Sequence, residues 1–514
     1  MVKRLLAFMA AFVLIFFIPG CTANAAELQA SPDLEKIDGY VERMMKECRI
    51  PGFSLAIVKD GRVVYTQGYG IADPTGRKVN PETPFQIASI SKTFTALAVM
   101  QLAEAGKLSL DEPIHSYMPQ FGLADERASE TITVRNLLCH TSGLGSSAEF
   151  GVASVAGDGD SVGQLVERMK ILKPTAPVGS RFQYNNANYI ILGRLIETVS
   201  GLTYDDYIKQ NIFEPLGMRH SYFSPDEAKK DGMAAGYRTV FGFPSVSGLP
   251  YRTDFIPASG VITCAEDLSK YMLAMMNGGI YKNNRIISAE GLARMLEPNV
   301  KVSGWESYGL GWYVTSGSYY HGGELTDFQS KLKIMPEEAL GIAFVYNTSS
   351  STATTLFKTG YRDRIESGIV NILYGLDPDD VPRGGFLDLN RYPMTVTYDL
   401  YLVLCILAVL LIIFSFIRLR SFMRRLISAK KRLLPVILFA VMVNLVLPVI
   451  LLGVPGFMHL NWLQLLFNVP DVSWLVLSII VCLLICGIVK VFIISNIMRQ
   501  SMHRQANGER MHNP

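Results

Sequence analysis

The sequence predicts an α/β fold, one β-sheet with helices packed on it and a helical insertion, followed by three membrane-spanning helices. Apolar, β-rich runs occur near the start, at Phe53–Val58 and Val63–Gln67, and again near residue 330. The chain between them has helical apolar spacing, which makes it an insertion into the sheet. Three long apolar runs after Tyr398 predict the membrane helices.

The elements follow in order along the chain. Ser31–Cys48 has the apolar spacing of an amphipathic helix, and Asp60-Gly61 joins the first two strands as a hairpin turn. A helix is predicted at about Ser89–Ala105, ending at Gly106. The terminal strands are predicted at Tyr319–Gly322, Gln329–Met335 and Gly341–Tyr346.

The apolar runs near the C-terminus are Tyr398–Ile417, Leu433–Gly453 and Ser473–Ile494. The loop 418–432 carries seven Lys/Arg, whereas the loop 454–472 carries none. Since positive loops stay in the cytoplasm, this pattern places the C-terminus inside and everything before Tyr398 outside.

The N-terminus predicts export independently. Lys3 and Arg4 precede an apolar stretch of signal-peptide length, with cleavage after Ala25 or, alternatively, lipidation of Cys21. The predicted organisation is a signal peptide at 1–25, a main domain at 27–370, a linker at 371–397, a membrane region at 398–496 and a cytoplasmic tail at 497–514.

Charge and cysteine usage exclude several classes of protein. Residues 398–514 carry eleven Lys/Arg and three Asp/Glu, so the preceding part of the chain is slightly acidic and no nucleic-acid partner is expected. The cysteines have no paired spacing and the seven histidines form no HExxH motif. We therefore expect no disulfide framework, metal or cofactor, and the expected partners are a small substrate and membrane lipid.

The first chemical motif is Ser89-Ile90-Ser91-Lys92, which places a hydroxyl and an amine three residues apart at a helix start. This spacing puts both groups on one helical face, near amide N–H groups that can stabilise an oxyanion. Two other Ser-x-x-Lys matches begin at Ser330 and Ser428, but the first lies in a predicted strand and the second in the predicted cytoplasmic loop. The alternative interpretation of Ser89 is a helix cap.

Two further motifs carry candidate chemistry. Tyr184-Asn185-Asn186 supplies a phenol that, beside an ammonium, loses its proton more easily and can act as a base toward Ser89. His321-Gly322-Gly323 places two glycines in a strand, which indicates the close approach of another backbone, such as a substrate. His321 could hydrogen-bond a substrate or Tyr184.

Residues 31–350 resemble the class C β-lactamase and penicillin-binding family of serine hydrolases. Besides the short motifs, Leu137–Leu144 reads LLCHTSGL, similar to the family's LLxHTSGL loop, and Pro177–Glu197 follows its PGxxFxYSNxxYxxLGxxIE segment. The segments PLGM at 215–218, PASG at 257–260 and YGLGW at 308–312 also resemble it.

The resemblance implies an antiparallel sheet with a helical subdomain and a site between them. It implies Ser89 as the acylated nucleophile, Lys92 and Tyr184 as the base system, and the backbone N–H groups of Ser89 and Glu324 as the oxyanion hole. The residues implied to contact the substrate are Gln86, Asn186, His321, Gly323 and Glu324.

One departure from the family concerns the substrate. β-Lactamases usually have Lys-Thr-Gly where this chain has His321-Gly322-Gly323, and a largely neutral histidine supplies no permanent charge for a carboxylate. The His-x-Gly version resembles the family's esterases, D-amino-acid peptidases and amidases. With three membrane spans, the chain resembles peptidases that remove N-acyl-D-amino-acid caps from colibactin-like prodrugs. A β-lactamase or an esterase is the alternative.

Two other functional hypotheses remain. Ser161 lies in a GxSxG pattern, but a nucleophile elbow needs a hydrophobic strand before it, and the preceding segment is small and polar. Ser161 is better interpreted as a cap for a helix beginning near Val162. The second hypothesis is a penicillin-binding sensor acylated only once, which turnover measurements distinguish from an enzyme.

Overall fold

The computed structural model describes residues 33–145, 161–240, 243–349, 361–379, 441–457 and 470–506, with isolated positions between 403 and 462. The chain forms two compact units, one of residues 1–41 and 363–382 and the other of residues 42–362 and 383–514. The predicted signal peptide, the predicted linker from residue 380 and the Ser428 motif lie outside the described residues.

The described helices alternate with short loops along most of the chain. They are α1 Leu34–Cys48, α2 Ser91–Glu104, α3 Glu126–Thr131, α4 Val134–Leu138, α5 Val162–Arg168, α6 Asn186–Ser200, α7 Tyr204–Ile208, α8 Glu214–Leu216, α9 Pro225–Lys230, α10 Ile256–Ser259, α11 Ala265–Met276, α12 Ala289–Leu296, α13 Tyr361–Leu373, α14 Leu447–Phe457 and α15 Pro470–Ala506.

The long strands lie near the two ends of the domain in sequence, and short strands alternate with the helices between them. They are β1 Gly52–Lys59, β2 Arg62–Gly70, β3 Phe85–Gln86, β4 Tyr237–Val240, β5 Phe243–Val246, β6 Ile262–Thr263, β7 Ile280–Tyr281, β8 Asn284–Arg285, β9 Val300–Lys301, β10 Ser307–Tyr308, β11 Tyr313–Val314, β12 Tyr319–Glu324, β13 Gln329–Met335, β14 Leu340–Tyr346 and β15 Thr348–Ser349.

Eight strands form one antiparallel sheet in the order β2-β1-β14-β13-β12-β11-β10-β9. The N-terminal hairpin therefore pairs directly with the last long strand, and β1 is buried along its whole length. Helix α11 covers the sheet: a side chain at Gly341 would crowd the sulfur atoms of Met272 and Met276. The predicted α/β fold with an antiparallel sheet, packed helices and a helical insertion is confirmed. The expectation of a single sheet is not, because among the described strands β4, β5 and β15, β3 and β6, and β7 and β8 form three smaller sheets.

The predicted hairpin turn has the backbone that its residues favour. Asp60 has φ of 51° and Gly61 has φ of 73°, the left-handed pair that matches the twist of two adjacent strands. Strands β1 and β2 pair antiparallel on either side of this turn. The hairpin prediction from Asp-Gly is confirmed.

Two helix boundaries differ from the sequence-based expectation. The helix expected to begin at Ser89 begins at Ser91, and Ala88–Ile90 form a separate 3-10 turn before it. From the sequence, a helix is also expected to begin near Asn188, after the Tyr184-Asn185-Asn186 motif. It begins at Asn186, because the side chain of Asn185 caps it by accepting the N–H of Ala187.

Ser161 caps α5, as predicted. Its hydroxyl accepts the N–H of Gln164, and the Gln164 side chain accepts the N–H of Ser161, which forms a capping box. The hydroxyl is thus explained by its cap, which weakens the GxSxG interpretation.

In the smaller unit, α1 and α13 contact each other closely. Tyr40 Oη donates a hydrogen bond of 2.8 Å to the carbonyl of Arg364. A side chain at Gly368 would overlap the ring of Tyr40, so this glycine allows the close contact. The amphipathic helix predicted at Ser31–Cys48 is confirmed within the described residues as Leu34–Cys48.

One described helix is long and apolar enough to cross a membrane. Its apolar stretch, Ser473–Phe492, has a mean hydropathy of 2.9 over 20 residues and corresponds to the third predicted span. The second predicted span is described in part, and its apolar stretch Met442–Gly453 is shorter. The first predicted span is described only at isolated positions. One C-terminal helix is therefore compatible with membrane anchoring, and the count of three rests on the sequence.

An ion pair between two half-buried side chains makes the free energy of unfolding depend on pH. His220 Nδ1 lies 2.6 Å from Asp231 Oδ2, which also accepts the hydroxyl of Tyr222. Burial alone would lower the pKa of His220, but the hydrogen bond and charge of Asp231 outweigh it and raise the pKa above 6.5. The protonated histidine therefore stabilises the fold at low pH, and this contribution is lost as pH rises through the folded-state pKa.

We expect His220→Gln to remove this pH dependence. Below pH 6.5 the variant should be less stable than the wild type by up to about 1 kcal/mol, and the difference should shrink toward alkaline pH. Urea unfolding of the full chain in detergent, from pH 5.5 to 9, measures it. A difference that stayed constant with pH would contradict the assignment to the His220–Asp231 pair.

Candidate active site

The candidate nucleophile lies in the 3-10 turn before α2. Ser89 is half-buried, whereas its neighbours Ala88 and Ile90 are fully buried. The turn begins with Ala88 at φ of 49°, a left-handed conformation that is unfavourable for a residue with a Cβ. The tight turn presents Ser89 at the surface of an otherwise closed core.

Ser89 is not the cap of this helix. The residue before α2 is Ile90, which makes no side-chain cap, and the nearby hydroxyl that ties the turn together belongs to Ser91. Ser91 Oγ donates to the carbonyl of Ala88 and accepts the N–H of Val261. Because Ser91 performs the structural role, the helix-cap alternative for Ser89 loses its support.

Lys92 lies at the centre of the site, and its side chain is fully buried. Its Nζ lies 3.0 Å from Ser89 Oγ, 2.6 Å from Asn186 Oδ1 and 2.8 Å from the carbonyl oxygen of Ala258. An ammonium has three N–H donors, so these three acceptors can hold the amine in one position. The Ser-x-x-Lys spacing thus places the two groups in contact, as the sequence predicts.

Tyr184 lies beside this amine, in the loop that leads into α6. The Lys92 Nζ is 4.9 Å from the centre of its ring, within the range of a cation–π interaction. The ring of His140 lies 4.4 Å away, and that of Tyr313 stacks at 6.5 Å. The phenol is therefore fixed between the charged amine and aromatic neighbours. Its role as a base stays a prediction.

The second half of β12, His321–Glu324, packs onto the 3-10 turn that carries Ser89. A side chain at Gly323 would overlap the carbonyl oxygen of Ile87 and the hydroxyl of Ser330, and Ser330 Oγ itself donates to Ile87 at 2.7 Å. The sequence predicts that a substrate backbone approaches this glycine, and that contact stays a prediction. In the structure the backbone of the chain itself, one residue before Ala88, already requires a glycine here.

This contact brings the next residue, Glu324, to the end of β12 beside the turn that carries Ser89. Glu324 is exposed and pairs with Gln329 in the sheet. The two backbone N–H groups assigned to the oxyanion hole therefore come from packed segments, and that assignment stays a prediction.

His321 lies in the same half of β12 and is buried, with 1% of its surface exposed. Its Nδ1 donates to the Gly322 carbonyl at 2.8 Å, and its Nε2 accepts the Tyr308 hydroxyl at 3.2 Å. Burial, followed by the nearby charge of Lys92, lowers the pKa of His321 to about 3. The ring is therefore neutral at physiological pH. Direct contact with a substrate would require one of its two hydrogen bonds to break.

Gln86 borders the same turn from the other side. It ends β3, where it pairs with Ile262 of β6, and it is half-buried. The neighbouring Ile87 and Ala88 form the turn itself. This position is compatible with lining a substrate pocket, which stays a prediction for Gln86 as it does for Asn186.

Sequence reasoning assigned no role to two residues of the site. Ala258 supplies the third acceptor of Lys92 through its backbone carbonyl. It lies in the PASG segment that resembles the family. His140, in the LLCHTSGL segment, is fully buried against Tyr184. Only the family-like segments around these two residues pointed to them. The spacing of neighbouring residues does not predict which backbone carbonyl or buried ring will contact the site.

Gly323→Ala should damage both stability and the site. Because the new methyl group would overlap Ile87 and Ser330, the turn and β12 must separate, at an expected cost of about 3 kcal/mol. The control is Gly317→Ala, in the turn before β12, where nothing lies within 4 Å of the added atom. Thermal unfolding and ester hydrolysis of both variants measure the effect. Equal behaviour of the two would contradict the close packing.

Comparison with known proteins identifies the family of this chain. The profile of the Beta-lactamase family matches residues 37–364. The chain is 30% identical over 321 residues to Protein flp of Staphylococcus aureus strain MRSA252, which covers 62% of this chain and 63% of that protein. The chain thus spans less than two thirds of that relative's length.

Solved structures give the same result. The octameric penicillin-binding protein homologue from Pyrococcus abyssi is similar with a TM-score of 0.57 and 30% identity, over 68% of this chain and 79% of the other. The profile match covers more than half of the chain and includes Ser89, Lys92, Tyr184 and β12. The chain belongs to the beta-lactamase family of serine hydrolases, in which penicillin-binding protein homologues are also found.

Proposed function

We propose that this chain is an exported, membrane-anchored serine hydrolase that cleaves an amide or ester through an acyl-serine intermediate. The observation that carries the proposal is the position of Lys92 Nζ, 3.0 Å from the half-exposed Ser89 Oγ and fixed by Asn186 and Ala258. A buried amine in contact with an accessible hydroxyl is the arrangement that activates a serine nucleophile.

The reaction follows from these contacts. The Ser89 Oγ attacks the substrate carbonyl carbon while its proton passes to the coupled pair of Lys92 and Tyr184, which in its reactive state carries one proton fewer than an ammonium and a phenol together. The carbonyl oxygen takes the electron pair, and the Ser89 and Glu324 N–H groups stabilise it. Collapse breaks the bond to the leaving group, which receives the proton. Water then attacks the acyl-serine and gives a proton to the pair. Collapse breaks the bond to Ser89 Oγ, which takes that proton back from the pair as the acid is released.

The preferred substrate class is a peptide or amide that contains a D-amino acid. The support is His321, which replaces the usual lysine and stays neutral because its pKa is lowered to about 3. A neutral, hydrogen-bonded ring offers no charge to the carboxylate of a β-lactam, so a substrate without that carboxylate fits better. Removal of a D-amino-acid-containing cap from a prodrug, or cleavage of a cell-wall peptide, is the proposed reaction.

The proposed topology is three C-terminal membrane helices, with the catalytic domain outside and the C-terminus in the cytoplasm. It rests on three apolar runs and on the seven Lys/Arg of the loop 418–432. The helix Pro470–Ala506, with its apolar stretch Ser473–Phe492, supports the last of the three spans.

A substrate panel tests the proposal on the intact protein in detergent. The panel contains N-acyl-D-aminoacyl amides, the matched L-enantiomers, D-Ala-D-Ala peptides, simple esters and nitrocefin. We expect many turnovers and the highest kcat/KM on a D-amide, with its L-enantiomer as the matched control. If nitrocefin were the best substrate, the substrate class would be wrong. If product stopped at one equivalent per Ser89, the chain would be an acylated sensor rather than an enzyme.

A further inference from the structure

The residues on either side of Tyr184 are both tied to His140. The N–H of Gln183 donates to the carbonyl oxygen of His140 at 2.8 Å, and the N–H of Asn185 donates to its ring Nδ1 at 3.1 Å. The ring of His140 also packs against Tyr184 with 4.4 Å between centres. One residue therefore contacts the tyrosine itself and both of its chain neighbours.

The hydrogen bonds determine which nitrogen of the ring carries the proton. A backbone N–H can only donate, so Nδ1 must accept and the neutral ring carries its proton on Nε2. A second donor supports this tautomer: Ser142 Oγ donates to Asn188 Oδ1 at 2.6 Å, which leaves the Asn188 amide nitrogen facing Nδ1 at 3.1 Å. Protonation of Nδ1 would break both bonds.

The surroundings of His140 oppose a charge on the ring. The side chain is fully buried, and burial, followed by the charge of Lys92, lowers its pKa well below 6.5. Nε2 has no hydrogen-bond partner within the described part of the chain. The titratable and aromatic side chains around the ring are Lys92, Phe182, Tyr184, Tyr189, Tyr308 and His321.

We propose that His140 is a positioning residue for the base system, and that its Nδ1 acceptor holds Tyr184 in place through Asn185 and Asn188. The inference rests on the proposed acyl-serine function, because positioning matters only if Tyr184 and Lys92 activate Ser89. His140 itself touches no reacting atom: it acts through Tyr184. The left-handed backbone of His140, with φ of 56°, turns the loop so that carbonyl and ring face the same segment.

Two substitutions separate the acceptor from the bulk of the ring. His140→Asn keeps an acceptor near the position of Nδ1, and asparagine tolerates the left-handed backbone. His140→Phe keeps an aromatic ring beside Tyr184 but leaves the donors of Asn185 and Asn188 without an acceptor. If the acceptor positions the tyrosine, the phenylalanine variant should fail and the asparagine variant should work.

The experiment measures acylation of the full chain in detergent by p-nitrophenyl acetate, as the pre-steady-state burst of nitrophenol from pH 5 to 9. We expect His140→Phe to lower the acylation rate constant by about 10- to 100-fold with little change in KM, because a small misplacement costs rate and not binding. Its pH profile should also change. His140→Asn should stay within about 3-fold of the wild type.

A pair of serine variants is the matched control. Ser142 and Ser129 are both buried, and each hydroxyl donates to one oxygen and accepts one backbone N–H. Only Ser142 orients Asn188, so Ser142→Ala should slow acylation and Ser129→Ala should not, although both lose two hydrogen bonds.

The outcomes are distinguishable. A full acylation rate in His140→Phe would overturn the inference. So would equal losses in the asparagine and phenylalanine variants, or losses that match the fraction of unfolded protein measured by thermal unfolding. If instead the wild type shows no burst that depends on Ser89, the proposed function fails first.

Discussion

Ser89→Ala should abolish turnover of every substrate that the wild-type chain hydrolyses, with a fall in kcat of roughly 10,000-fold or more. The variant removes the atom that forms the bond to the acyl group, and the remaining groups can bind a substrate but cannot form the intermediate. Lys92 keeps its bonds to Asn186 and Ala258, so the fold should not suffer. Initial rates, together with mass spectrometry of the trapped acyl-enzyme, measure the effect.

Ser161→Ala is the control for this prediction. It removes the serine of the competing GxSxG pattern, whose hydroxyl caps α5. We expect a loss of about 1 kcal/mol in stability and an unchanged rate per folded molecule. Retained activity in Ser89→Ala, or lost activity in Ser161→Ala, would show that the nucleophile has been assigned to the wrong serine.

Lys92→Met should reduce acylation by roughly 1,000-fold, the size expected when a proton acceptor beside the nucleophile is lost. Methionine has a similar length and fills the buried space, but it cannot take the Ser89 proton. Stability should change far less than activity, because replacing a buried charge with an apolar group offsets the lost hydrogen bonds. Burst kinetics and thermal unfolding of the same preparation give the two quantities.

Lys270→Met is the matched substitution outside the site. Lys270 Nζ also has three partners: Asp267 at 2.7 Å, Gly217 at 2.9 Å and Glu266 at 3.1 Å. Removing it leaves the buried carboxylate of Asp267 without its cation, so stability should fall while the rate per folded molecule stays unchanged. If Lys270→Met slowed acylation as much as Lys92→Met, the effect would be structural and not chemical.

The parts of the molecule that sequence predicts well are those set by neighbouring residues. The Asp60-Gly61 turn, the cap at Ser161 and the Ser89–Lys92 contact each depend on residues no more than three positions apart. Local backbone geometry determines such contacts, so spacing is enough to predict them.

Contacts between distant residues could not be read from the same patterns. The acceptors of Lys92 lie 94 and 166 residues away, at Asn186 and Ala258. The partner of His321 is Tyr308, which reaches it because β10 and β12 lie on either side of β11. Periodicity identifies a strand or a helix, but it does not determine which distant side chains meet across them.

Two sequence-based expectations changed for clear physical reasons. The helix at Ser89 begins two residues later, because a 3-10 turn is needed to leave the hydroxyl exposed above a buried segment. Gly323 is already required by the chain's own turn at Ile87, and its predicted contact with a substrate stays a prediction. Both depend on the three-dimensional approach of β12 to the turn, which no local signal carries.

The contact between Ser330 and Ile87 joins residues 243 positions apart. During synthesis, Ser89 therefore leaves the ribosome long before the strands that support its turn. Strand β1 likewise cannot pair with β14 until β14 has been synthesised. Since contacts of such long range form late in folding, the turn that carries Ser89 cannot reach its final structure before the strands that contact it have been synthesised. The order of synthesis thus delays formation of the Ser89–Lys92 arrangement until the chain has been made as far as β14.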